Sequence, residues 1–163
     1  MAKNKYSNSG TDGAGGYEFQ LHGALYVLLE QYNDIKDTKY FIFLEHYEDF
    51  LFVYMDNNDL INKIETYQSK KSAKKWTISN KDFEEIIIKI LEVGINLKND
   101  DISKCDSYFH DLHFISNREI DILKEVVNER RKLIGYSELK EEAKNKIKSF
   151  IQEIFLKYKH LFK

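Results

Sequence analysis

The run Ile64-Glu65-Thr66-Tyr67-Gln68-Ser69-Lys70 ends in an amide and an ammonium two residues apart, 19 residues after Asp49. If the run is a strand, its side chains alternate faces, so Gln68 and Lys70 project from the same one. A carboxylate from a neighbouring strand, with Asp49 as the candidate, completes an acid–amide–lysine cluster. Such a cluster suits a hard divalent cation: Mg²⁺ takes oxygen ligands and keeps several waters, so one carboxylate and one amide oxygen suffice. Lys70 would stabilise an attacking hydroxide or a phosphate, and the chemistry would be phosphodiester hydrolysis. Motifs this short also recur by chance. The plainer reading is a turn aspartate and a solvent-facing strand end.

The elements that must position these residues follow from periodicity. Residues 1–16, rich in Ser, Asn and Gly, read as a mobile lead. From Tyr17 to about Asn33, Phe19, Ala24, Leu25, Leu28 and Leu29 recur at helical spacing. Tyr40–Leu44 and Phe50–Tyr54 are aromatic and β-branched and predict strands, with a turn at Asp56-Asn57-Asn58-Asp59. The strand ending at Lys70 comes next, followed by a basic loop up to Trp76. Ser79 or Asn80 caps an expected helix with Phe83, Ile86, Ile87, Ile90 and Leu91 on its apolar side and Gly94 as its stop. Residues 96–106 read as a loop and Tyr108–Ile115 as another strand. A helix is expected from Ser116 or Asn117 through Ile120, Leu123, Val126 and Val127. A long amphipathic helix begins at Ser137, its apolar side formed by Ile147, Phe150, Ile151, Ile154, Phe155 and Tyr158. The expected fold class is mixed α/β.

Composition narrows the classes. With 42% hydrophobic and 32% charged residues, the 163-residue chain has the profile of a globular domain with its own core. A net charge of −2 gives no global signature for nucleic acid, so contact with a polyanion must come from local clusters. The single Cys105 leaves no internal disulfide and no multi-cysteine zinc site, and suits a cytoplasmic location. No apolar run approaches the ~20 residues of a membrane span, and Met1-Ala2-Lys3-Asn4-Lys5 is not followed by a signal-peptide core. The histidines lack the helical pair spacing of a zinc protease, with His110 and His113 on opposite faces of a strand. The glycines at 10–16 lack the Gly-Lys-Ser/Thr of a phosphate loop.

The order helix, three strands, helix, strand, with an acid on the second strand and Gln-x-Lys on the third, resembles the PD-(D/E)XK nuclease core, a restriction-endonuclease-like fold. More closely, the chain resembles the double-stranded-DNA endonuclease domain of bacterial antiphage effectors, including those of cyclic-nucleotide (CBASS) signalling. The stretches that carry the likeness are Gly16–Gln20, Glu45–Asp49, Tyr67–Lys70, Trp76–Ile78 and Phe114–Asn117, within about residues 14–130. The resemblance implies a Mg²⁺- or Mn²⁺-dependent endonuclease acting on double-stranded DNA. Asp49 takes the place of the metal carboxylate, Gln68 that of the second ligand and Lys70 that of the catalytic lysine. Gln20 matches a polar residue of the first helix that faces the site, and Glu45 is an additional match among the metal ligands. The chain departs from the pattern in having an amide at Gln68, and its length leaves no room for the sensor domain such effectors carry.

Several residues keep two readings. Glu45 would share a face with Asp49 on a continuous strand, but a turn at His46-Tyr47-Glu48 breaks that parity. Gln20 is either a partner of a metal-bound water or a helix-surface residue. Lys71, Lys74 and Lys75 suit phosphate contacts beside the site, although charge runs are often merely solvated. Trp76 reads as an anchor in preference to a base-stacking platform. The domain organisation expected is a lead at 1–16, a nuclease core at 17–133 and a helix at 134–163 that packs on the core, forms a homo-oligomer surface or continues toward a fused or associated sensor domain. A non-catalytic nuclease-like assembly module and an RNA-directed nuclease are the alternatives to a DNA endonuclease.

Overall fold

Alternation on the central strands forces helices onto both faces of one sheet. A computed structural model of the chain describes residues 13–121 and 139–162. Its elements are α1 (Gly13–Ile35), β1 (Lys39–His46), β2 (Glu48–Met55), β3 (Ile61–Lys70), β4 (Trp76–Thr77), α2 (Lys81–Asn99), β5 (Lys104–Ser116), β6 (Ile120–Asp121) and α3 (Glu141–Lys157), with a 3₁₀ helix at Lys159–Phe162. The main sheet has the order β1-β2-β3-β5; β1/β2 and β2/β3 are antiparallel and β3/β5 is parallel. A parallel neighbour requires a crossover, and α2 provides it. A separate short parallel pair joins β4 to β6.

The two faces of the sheet have different tasks. Phe50, Phe52 and Tyr54 of β2 and Tyr67 of β3 bury against Ala24, Val27 and Ile35 of α1. Leu51, Val53 and Ile64 face the other way and bury against Val93 and Leu97 of α2. Phe50 and Phe52 are fully buried, each worth about 1.5–3 kcal/mol relative to exposure. A third cluster, Trp76, Phe83, Ile86 and Ile90, extends the α2 face, and Phe150 of α3 stacks on Phe83 at 6.1 Å. With Lys157 bonded to Glu84 at 2.6 Å, the C-terminal helix is seated on this same domain. β1 is an edge strand whose Phe41 and Phe43 stay exposed, flanking an apolar groove of about 300 Å³ with Leu51, Val53, Leu97 and Ile102.

Several elements differ from the sequence reading. The end of the glycine-rich lead, Gly13 to Gly16, belongs to α1. Asn80 is the cap of α2, its Oδ1 accepting from the Asp82 N–H at 2.7 Å. Gly94 does not stop that helix, which continues to Asn99; a Cβ there would come within 2.8 Å of Leu112, so the missing side chain serves close helix–sheet approach. The expected loop at 96–106 shrinks to residues 100–103, and Ser116 ends β5 in place of starting a helix. Ile120 lies in β6, while Leu123, Val126 and Val127 of that expected helix lie outside the described residues. Ser137 does too; the last helix begins at Glu141, with Lys140 at its cap position. Residues 1–12 also lie outside.

Candidate active site

β2 and β3 pair with Phe50 opposite Tyr67 and Leu51 opposite Thr66, a register that sets Asp49 across from Gln68 on the α2 face. The Gln68 amide Nε2 and the Ser69 backbone N–H both donate to Asp49 Oδ2, each at 2.6 Å. Two donors on one oxygen fix the carboxylate plane. Its other oxygen, Oδ1, is buried and has no hydrogen-bond partner. Asp49 is 1% exposed, and burial raises its carboxyl above the usual range; the Lys70 ammonium, the Ser69 N–H and the Gln68 amide pull it back down, and Glu45 adds a smaller upward push. Asp49, Gln68 and Lys70 therefore meet at one end of the sheet, where β2 begins and β3 ends.

Strict alternation sends Glu48 to the opposite face, yet Asp49 and Lys70 of this site are its charged neighbours. The tight β1–β2 connection closes with His46 paired to Glu48, and both Glu45 (φ 54°) and Tyr47 (φ 61°) take left-handed conformations. The two left-handed residues flank His46 at the point where the chain turns into β2. Glu48 is 8% exposed with an unpartnered Oε1, and burial pushes its carboxyl up to about 7, helped by Asp49 and opposed by Lys70 and Lys89. Its charged neighbours are Asp49, Lys70 of β3 and Lys89 of α2. Glu45 is exposed, within electrostatic reach of Asp49. Gln20 is half-buried on α1 and makes no hydrogen bond to Asp49, Gln68 or Lys70. The helix turn that follows it is held where Gly23 meets Phe50 and Ser69.

The basic loop that leaves β3 is tied down. Ser72 donates its backbone N–H to Asn117 Oδ1 at 2.7 Å, and its carbonyl accepts from Asn117 Nδ2 and Arg118 Nε, both at 3.1 Å. Trp76 is buried, its indole N–H donating to Ser116 Oγ at 2.6 Å, which makes it an anchor. Lys75 is paired with Glu119 at 2.8 Å, whereas Lys71 and Lys74 are exposed and form no ion pair among the described residues. Arg118, whose guanidinium lies against this loop, is invisible to the sequence pattern, because Ser116 and Asn117 before it carry the signature of a helix start.

A second acidic group lies on the α1 face: Glu65, Asp111 and His113 bring ligand atoms within 4.8 Å of one another. It already holds a cation. The Lys63 ammonium sits 2.5 Å from Glu65 and 3.1 Å from Asp111. Gln31, Tyr54 and Tyr67 donate to Glu65 Oε2 at 3.2, 3.0 and 3.0 Å. Burial alone would raise the Glu65 carboxyl, but the bonds from Lys63, Gln31 and Tyr54 bring it below its ordinary value. A metal would have to displace Lys63, so the group is better understood as a clamp between α1 and the sheet.

The Asp49 end of the sheet is the opposite case. Buried carboxylate oxygens without donors, an amide oxygen and a nearby ammonium suit a hard cation and a phosphate. The family model for the Cap4 double-stranded-DNA endonuclease domain matches residues 8–160. The chain belongs to that family and is a double-stranded-DNA endonuclease domain of the antiphage effector type. No curated protein and no solved structure matches it. Among the described residues, no helix is long and apolar enough to cross a membrane.

Proposed function

We propose that this domain cuts duplex DNA in a Mg²⁺- or Mn²⁺-dependent reaction at the Asp49–Gln68–Lys70 end of a restriction-endonuclease-like core. The observation that supports it is the divided role of Asp49: Oδ2 is held by two donors while Oδ1 is buried and free of them. Leaving a buried carboxylate oxygen unpaired costs on the order of 1–3 kcal/mol, a cost a bound cation removes. Asp49 and the Gln68 amide oxygen are the ligands in this reading, with Glu45 at the rim. A bound divalent ion supplies Lewis-acid neutralisation of phosphate charge and acidifies water. Gln68 and Ser69 keep the Asp49 carboxylate oriented throughout. Lys70, beside that carboxylate, stabilises the charge that grows on the phosphate during attack. Gln20 of α1, half-buried, is the residue this reading assigns to orienting water. Lys71 and Lys74 meet backbone phosphates flanking the cut, and Lys75 joins them at the cost of its bond to Glu119.

The domain organisation follows from the same reading: α1 through β6 build the nuclease core, and α3 closes it over α2. A sensor domain and assembly into oligomers belong to the activation of such an effector. Plasmid and linear duplex cleavage with Mg²⁺, with EDTA and with Lys70→Ala tests the proposal. Loss of cutting in EDTA and in the variant is expected. Cutting that persists in either would overturn it.

A further inference from the structure

We infer that Glu48 is a further cation-binding carboxylate of this site, supplying beside Asp49 the negative charge that the amide Gln68 does not. The inference rests on the metal-site reading above and extends it to a residue that strand alternation excludes. Glu48 and Asp49 are adjacent, 92% and 99% buried, and each has a carboxylate oxygen with no hydrogen-bond partner. Buried polar atoms in folded proteins nearly always find partners, so two orphaned acceptors on consecutive residues call for an explanation. Neither carboxylate is neutralised by a contact ion pair: Lys70 and Lys89 act on Glu48 at a distance, and none of the ion pairs among the described residues includes Glu48 or Asp49. A cation shared by the two would satisfy both oxygens and remove the repulsion between them.

The backbone supports the same assignment. Tyr47 holds a left-handed conformation that is strained for a bulky side chain, and it sits at the turn immediately before Glu48 and Asp49. A tight connection could be made from glycine or asparagine without that strain. The charge count agrees too: with an amide at 68, Asp49 is the one buried carboxylate of the proposed ligand set, Glu45 being exposed at the rim, and Glu48 adds a second buried one.

The test is Mn²⁺ binding to metal-stripped protein, measured by calorimetry and by the shift in melting temperature, for wild type, Glu48→Gln, Asp49→Asn and Glu48→Gln/Gln68→Glu. Glu48→Gln is expected to weaken Mn²⁺ binding at least tenfold while leaving the metal-free protein folded. The double variant, which returns a second carboxylate from β3, is expected to recover most of that loss. Wild-type affinity in Glu48→Gln, with Asp49→Asn impaired, overturns the assignment of Glu48 and leaves the active-site reading standing. Wild type that binds no Mn²⁺ overturns both. If Glu48→Gln does not fold, Glu48→Asp keeps the charge but withdraws it; Mn²⁺ affinity equal to wild type in that variant counts against direct ligation.

Discussion

Replacing Gln68 by glutamate converts the site's amide into the acid found at that position in an acid-x-lysine pair, and its cost is calculable. Gln68 Nε2 lies 2.6 Å from Asp49 Oδ2. Two carboxylate charges at that separation repel by about 6 kcal/mol at an effective dielectric near 20. Placing a proton on a carboxyl of ordinary pKa near 4.3 costs only about 4 kcal/mol at pH 7. The pair therefore takes up a proton, and the penalty is capped near the smaller figure. The acid–carboxylate bond so formed replaces the lost amide–carboxylate bond; each is worth about 1.5–3 kcal/mol, so those terms cancel. For a chain of this size, about 4 kcal/mol lowers the melting temperature by roughly 8–16 °C. The native state now binds more protons than the unfolded one, so the loss shrinks as pH falls from 8 toward 5. Differential scanning fluorimetry in EDTA, repeated with Mn²⁺, reads all three effects, and the cation should restore most of the deficit. A Gln68→Glu protein that melts like wild type in EDTA at pH 8 would refute the geometry. A deficit that Mn²⁺ leaves untouched would refute the metal centre.

Other outcomes follow from the opposite face and the loop. Glu65→Gln removes the charge that gathers Lys63, Gln31, Tyr54 and Tyr67, so urea unfolding should show a loss of about 2–3 kcal/mol with Mn²⁺ affinity unchanged. His113 stacks on Tyr67 at 4.4 Å, and burial holds its imidazole below the usual value, with Glu65 and Asp111 opposing that and Lys63 reinforcing it. Its neutral form is the native one, so stability should fall as pH drops through about 6.5, where the unfolded chain begins to take up the proton. His113→Phe, compared by urea titration at pH 7.5 and 5.5, should flatten that dependence. Lys71→Ala/Lys74→Ala should weaken duplex binding equally across sequences and lower the slope of log K against log salt by about 0.9 for each phosphate no longer neutralised. Lys75→Ala should change the slope less, because Glu119 already engages that ammonium.

The parts that were legible in the sequence are those that depend on period alone. Alternation along β3 places Gln68 and Lys70 together, and the aromatic runs mark β1 and β2, so Asp49 and Gln68 come face to face as expected. The burial of Glu48 was illegible because it follows a turn with a left-handed Tyr47, and nothing in a tyrosine announces that conformation. Gly94 misled for a related reason. Glycine after an apolar helical run signals a stop, yet here it is the point where α2 presses on Leu112. Ser116 and Asn117 have the chemistry of a helix cap, and they spend it on the Trp76 indole and the Ser72 backbone. Capping chemistry and loop-tethering chemistry draw on the same donors and acceptors, and only tertiary context separates them.

The division of labour along β3 has a consequence for how this domain tolerates change. Odd positions (Glu65, Tyr67, Ser69) serve the α1 side, while Gln68, bonded to Asp49, and Lys70 lie on the side of the proposed site. Because neighbours along the strand answer to separate constraints, turnover and foldability are tuned by interleaved, nearly independent sets of letters. If the proposed site is the catalytic one, a drift in its metal preference or cutting rate is written into the even register while the odd register keeps the scaffold upright.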